Sequence, residues 1–217
     1  GSLRKLQTDH IDLYYQHRID PKVEPEIVAD TMAQLIKEGK ITHWGISEAN
    51  ADYLRRAHAV CPVTAIQNRL SMMYRDYEKL FPVLEELHVG FVAFSPLANG
   101  FLTARYRDTS QFEQSPADYR ATMPQFSKEG VEQNRDLLAL LENTAKEKNA
   151  TPAQISLAWM LEKRPYIVPI PGSRKENRIR ENLGAADIHL TKEEVSRIDD
   201  ALEHMTMSQV FGGHRAS

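Results

Sequence analysis

A single cysteine, Cys61, stands in 217 residues, which excludes an intrachain disulfide and fits a reducing compartment. Long apolar runs are missing as well. None approaches the roughly 20 residues that a membrane-spanning helix needs, and the opening Gly1-Ser2-Leu3-Arg4-Lys5-Leu6 carries no signal-peptide core. The expectation is a cytoplasmic protein with no membrane partner. Excess charge of one sign is also absent: 27 Lys and Arg face 30 Asp and Glu, interspersed, for a formal net charge of −3. That excludes the concentrated basic footprint of a nucleic-acid binder and suits a small neutral or anionic ligand. No G-x-G-x-x-G run follows a strand, so a doubly wound dinucleotide fold lacks its phosphate-binding turn. His10, His17 and His43 lack the clustered spacing of a zinc site, and no metal is expected.

What is present is 41% hydrophobic and 26% charged residues, enough for one globular domain over 1–217 with a sizeable core. Short β-rich runs alternate with amphipathic helical stretches, the pattern of a parallel sheet built from βα units. Five strands are expected: 11–15, 41–46, 63–67, 90–94 and 166–170. A helix opens at Pro25, turns Val28, Met32, Leu35 and Ile36 to one face and closes at Gly39. Tyr77, Leu80, Phe81, Leu84 and Leu87 recur at helical spacing and read as core. Capping boxes are written at Thr151-Pro152-Ala153-Gln154 and Thr191-Lys192-Glu193-Glu194. The polar stretch 103–130 is too long for a routine connection and suits a loop that covers a site, and 204–217 reads as a tail or flap.

Five βα units fit either an open doubly wound sheet or a closed (β/α)8 barrel, and both put their chemistry at the C-terminal ends of strands. The residues there are polar. The first strand runs into Gln16-His17-Arg18, and alternation sets Leu13, Tyr15 and His17 on one face. The second ends in Gly45-Ile46-Ser47-Glu48, the third in Gln67-Asn68-Arg69 and the fourth in Phe94-Ser95-Pro96-Leu97. After the fifth, Pro171-Gly172-Ser173-Arg174 opens a helix carrying Arg178 one turn on. Backbone N–H groups at a helix start, with two guanidinium groups beside them, make an anion site.

Asp9-His10-Ile11-Asp12-Leu13-Tyr14-Tyr15-Gln16-His17, Trp44-Gly45-Ile46-Ser47, Gln67-Asn68, Phe94-Ser95-Pro96-Leu97-Ala98-Asn99-Gly100-Phe101-Leu102 and Ile170-Pro171-Gly172-Ser173-Arg174 together resemble the aldo-keto reductases in order and spacing. The resemblance runs from that family's fourth barrel strand to its tail. It implies a (β/α)8 TIM barrel, α/β in class, of which this chain supplies about five βα units. It further implies an oxidoreductase that uses NADP(H) to reduce aldehydes and ketones, with a carbonyl or alcohol as its small-molecule substrate; a homo-oligomer stays open.

By the same resemblance, His17 is the histidine that hydrogen-bonds the substrate carbonyl. Ser47 and Gln67 correspond to the pair holding the nicotinamide carboxamide, and Phe94 to the aromatic face on the nicotinamide ring. Ser95, Leu97 and Asn99 correspond to the loop beside the pyrophosphate. Gly172, Ser173, Arg174, Arg178, Glu181 and Asn182 correspond to the segment gripping the adenosine 2′-phosphate and adenine. Glu48 stands where part of the family has asparagine and receives no role. The tetrad's aspartate, tyrosine and lysine have no counterpart here, so this chain by itself is expected to be inactive. A binding or sensing module resembling the potassium-channel β subunits is the alternative, and a structural interaction protein a more distant one.

Overall fold

The computed structural model describes residues 1–107, 109–112 and 118–210. The chain divides into two compact units, one of residues 1–68 with 77–92, the other of 69–76 with those from 93 onward.

The first unit begins with a short helix α1 (Ser2–Leu6) and strand β1 (Ile11–Gln16), then α2 (Pro25–Lys37), β2 (Ile41–Ser47), α3 (Ala51–Val60), β3 (Ala65–Arg69), α4 (Phe81–Leu87) and β4 (Gly90–Phe94). β3 and β4 each run across the division between the units. β1 and β2 pair in parallel with Tyr15 opposite Gly45, and β2 and β3 with Gly45 opposite Ala65 and Ser47 opposite Gln67. The Gly90 amide donates to the Thr64 carbonyl, 2.9 Å, which lays the start of β4 beside β3. β1 is half-buried along most of its length, whereas β2 is buried from Trp44 through Ser47.

Local chemistry explains the helices of this unit. α2 starts on Pro25, whose missing N–H costs nothing at a helix start, and stops at Gly39, whose φ of 70° suits a residue without Cβ. It buries Pro25, Ala29 and Met32. Asn50 caps α3 by accepting from the Tyr53 amide, 2.9 Å. The expected helix over 77–87 is broken in two: a 3₁₀ turn Asp76–Leu80 precedes α4, because Pro82 cannot donate back to residue 78. Trp44, Ile46, Ile66, Leu54 and Phe91 are fully buried, each contributing roughly 1.5–3 kcal/mol.

The second unit holds α5 (Lys128–Gln133), α6 (Arg135–Glu147), α7 (Pro152–Lys163), β5 (Ile167–Pro169), α8 (Glu176–Leu183) and α9 (Lys192–His204). The Ile170 amide donates to Ala93, 3.0 Å, which sets β5 beside the end of β4. Both expected capping boxes are complete, at Thr151 with Gln154 and at Thr191 with Glu194. Leu137, Leu138 and Leu141 of α6, Trp159 of α7 and Ile198 and Leu202 of α9 form the buried layer.

The stretch 103–130 differs from a plain polar loop. It contains 3₁₀ turns at Thr109–Phe112, Tyr119–Thr122 and Pro124–Phe126. Tyr106 stacks on Phe112 at 5.1 Å between centroids, Phe112 meets Phe126 edge-on, and the Arg120 guanidinium lies 4.7 Å from the Phe112 centroid. Within this stretch, 108 and 113–117 lie outside the described residues. Of the tail, 205–210 has no regular structure, yet it is tied down: Ser208 exchanges hydrogen bonds with the buried Asn134 at 2.7 and 3.0 Å, and Val210 is buried. Gly212-Gly213 lie outside the described residues.

Candidate active site

His17 follows directly on β1 and is exposed. The next residue does more than the sequence suggested. The Arg18 guanidinium donates to the His17 carbonyl at 2.7 Å and to the Ser47 hydroxyl at 3.1 Å, and lies 3.6 Å from the Glu48 carboxylate. Ser47, the last residue of β2, is buried, and its hydroxyl donates in turn to the Gln67 carbonyl at 3.1 Å. That carbonyl also accepts from the amide of Glu48, 3.1 Å, which sits in the left-handed region at φ 57°. One hydrogen-bonded chain thus links Arg18, Ser47 and Gln67 across the three strands. Arg18 was missed by the sequence reading; its only local signal is a base placed next to the candidate histidine.

Asn68 lies inside β3 rather than beyond its end, and Gln67, expected as the last residue of the strand, is its third, because the strand spans 65–69 instead of 63–67. Asn68 is fully buried and donates to the Ala49 carbonyl at 3.1 Å, while its Oδ1 has no partner among the described residues. Tyr15 has its hydroxyl enclosed, and burial pushes that group's pKa up.

The remaining candidates belong to the second unit. Phe94 ends β4, and the Arg69 guanidinium lies 5.5 Å from its ring centroid and 5.0 Å from that of Tyr74. One face of Phe94 is therefore taken by a cation. The chain beyond it is unusual: Ser95, Ala98 and Asn99 have φ of 52°, 47° and 61°, and Gly100 has 97°. The Ser95 and Leu97 carbonyls accept from the Ala98 and Gly100 amides at 3.0 and 2.9 Å. Three non-glycine residues in that region within five positions are a store of backbone strain.

After β5, Gly172, Ser173 and Arg174 are exposed, and a Cβ built on Gly172 would meet nothing within 4 Å. Ser173 Oγ accepts from the Lys175 amide at 3.1 Å, just ahead of α8. Arg174 and Arg178 differ in their surroundings. Arg178 pairs with Glu181 at 2.7 Å, and Arg105 reaches the same carboxylate at 3.2 Å from 76 residues away. Glu181 is held between two cations, with only 15% of its side chain exposed. Asn182 is half-buried on the same helix. Arg105 was not foreseen, since nothing local connects it to α8.

Among the described residues no cluster of three or more His, Cys, Asp or Glu could hold a metal, and no helix is long and apolar enough to cross a membrane. In the first unit an imidazole, a hydroxyl and a guanidinium lie at the ends of β1 and β2, with an amide inside β3. In the second, a strained loop follows an aromatic residue, and a glycine turn opens a basic helix.

The chain is 45% identical to aldo-keto reductase str7 of Strobilurus tenacellus over 219 residues, which is 99% of this chain and 64% of that protein. Among solved structures, it superposes on the glycerol dehydrogenase AKR11B4 of Gluconobacter oxydans with a TM-score of 0.86 at 26% identity, covering 96% of this chain and 63% of that one. A thermostable aldo-keto reductase, Tm1743, solved with the inhibitor epalrestat, gives a TM-score of 0.72 at 29% identity, covering 92% and 63%. The chain thus spans a little under two thirds of each relative's length. Residues 1–203 match the model of the aldo/keto reductase family, and with the α/β fold and its parallel strands this establishes that the chain belongs to that family.

Proposed function

We propose that the chain forms the NADP(H)-holding part of a reductase that converts aldehydes or ketones to alcohols. The observation that carries this reading is the loop after β4, where Ser95, Ala98 and Asn99 hold positive φ. Such strain persists where surrounding structure over-determines it, and consecutive turns of this kind expose amide N–H groups to an anion. Ser95, Leu97 and Asn99 would lie against a pyrophosphate. Gly172 leaves room for close approach, and Ser173, Arg174 and Arg178 would take the 2′-phosphate, with Glu181 and Asn182 beside the adenine.

When bound, the cofactor supplies a hydride. The chain's own groups orient and hold. His17, exposed and therefore accessible, donates a hydrogen bond to the carbonyl oxygen, polarising it and fixing its direction. Ser47 and Gln67 grip the carboxamide, and Phe94 offers the ring face not covered by Arg69. Ser47 already donates to Gln67 and accepts from Arg18, so engaging a ligand requires one of these bonds to be exchanged. The Tyr15 hydroxyl is enclosed and does not serve as proton donor to the alkoxide. By itself the chain binds rather than turns over.

The test is a fluorescence titration of this chain with NADPH and with NADH, alongside a circular-dichroism melt. Saturable binding that prefers NADPH is expected. Arg174→Ala should weaken NADPH by about tenfold, the loss of roughly one charge-assisted hydrogen bond, and leave NADH unchanged. A cooperative melt without binding of either nucleotide would overturn the reading.

A further inference from the structure

β2 has a gap in its row of side chains at Gly45. A Cβ there would come within 2.4 Å of Tyr15 Cε1 and 2.7 Å of the Ala65 carbonyl oxygen. Tyr15, directly opposite on β1, lays its ring across the backbone at this point. Only glycine admits that crossing. Beyond Gly45 lies β3, where Gln67 stands two residues past Ala65 and therefore on the same face. The Tyr15 hydroxyl ends in an enclosed space with no completed hydrogen bond, near enough to the Gln67 side chain for that amide to favour its ionised form. A buried hydroxyl left without a partner carries a penalty that its neighbours normally remove. Gln67 is the neighbour placed to do so: its backbone carbonyl is already engaged by Ser47 and Glu48, and its side chain stands on the face of the sheet that carries Tyr15.

We propose that Tyr15 is a positioning residue for Gln67: its hydroxyl oxygen, carried over Gly45, accepts from Gln67 Nε2 and turns the Gln67 Oε1 toward the ligand. An amide that rotates freely presents donor and acceptor in turn. One whose NH₂ group is engaged presents its oxygen as an acceptor, which matches the NH₂ of a carboxamide. The inference rests on Gln67 contacting the nicotinamide, and Gly45 acquires a purpose from it: the glycine gives a β1 side chain access to a β3 side chain.

Two measurements on this chain separate the positioning role from the cofactor reading. In the ligand-free chain, the side-chain amide pair of Gln67 is followed by ¹H–¹⁵N NMR, with Gln67→Ala supplying its assignment. A cross-peak between the Tyr15 hydroxyl proton and that amide, and a shift of the pair in Tyr15→Phe, are expected; an unmoved pair without a cross-peak overturns the proposal whatever the chain binds. The second is a cycle of NADPH titrations. Tyr15→Phe should weaken binding about fivefold, the size of one neutral hydrogen bond, and have no further effect when Gln67 is already alanine. Equal losses in both backgrounds would mean a merely structural role and overturn it. If the unmutated chain binds no NADPH, the cofactor reading fails and the NMR result alone decides for or against the Tyr15 to Gln67 bond.

Discussion

Replacing Asp199 by alanine takes an anion from two buried groups at once. From α9 its carboxylate accepts from Trp159 Nε1 at 2.9 Å and from Lys163 Nζ at 2.9 and 3.0 Å, both residues lying on α7. The Lys163 side chain is 5% exposed and that of Asp199 28%. The ammonium also lies 4.5 Å from the Trp159 ring centroid. Breaking a buried ion pair from one side costs about 3–5 kcal/mol, and the partly wet carboxylate places this one near the lower end, about 3 kcal/mol. The fully buried indole N–H adds about 1 kcal/mol. A loss of about 4 kcal/mol is a large part of the 5–15 kcal/mol typical of a folded domain. Urea unfolding followed by tryptophan fluorescence and circular dichroism measures it, provided the slope is unchanged between variants. Lys163→Met combined with Asp199→Leu removes both charges and should recover most of the loss, since the pair as a whole is worth little. An Asp199→Ala variant within about 0.5 kcal/mol of the parent, or a double variant no better than the single, would refute this account.

Gly45→Ala should lower stability by about 1–3 kcal/mol or more, because the Ala65 carbonyl is strand backbone that cannot step aside; an unshifted urea midpoint would contradict the crossing of Tyr15 over β2. In the capping box of α9, a hydrogen bond from Lys148 and another from the Thr191 amide hold the Glu194 carboxyl below its usual 4.5. A depressed carboxylate contributes stability that is present above its unfolded pKa and is lost as pH falls through the folded value. The melting temperature should therefore decline below about pH 4.5. Glu194→Gln keeps the cap acceptor but should flatten that decline, and a melting profile unchanged by the substitution would show that Lys148 stabilises nothing.

The elements that were legible are those whose cause is local. The capping boxes at Thr151 and Thr191 appear as written because the cap and the residue it satisfies are three positions apart. The helix from Pro25 to Gly39 likewise carries its own start and stop. What was not legible comes from distant parts of the chain. Arg18 reaches Ser47 across 29 residues, and Arg105 reaches Glu181 across 76, with no spacing rule to connect them. The aromatic packing of Tyr106, Phe112 and Phe126 hid in 103–130 because irregular backbone imposes no period on its apolar residues.

The shift of β3 from 63–67 to 65–69 moves the bounds of the strand that carries Gln67 without turning its side chain. A residue's face is set by its place in the alternation and not by where the strand begins, so Gln67 stands on the face of Ala65 with either set of bounds. What changed is the extent of the strand: Gln67 lies within it and is paired, with Ser47, the last residue of β2, directly opposite. A strand end would leave the Gln67 amide to solvent, whereas inside the sheet it has two neighbouring strands to draw partners from. That is how a tyrosine on β1 comes within reach of it, two strands away, and why the glycine between them matters as much as either side chain.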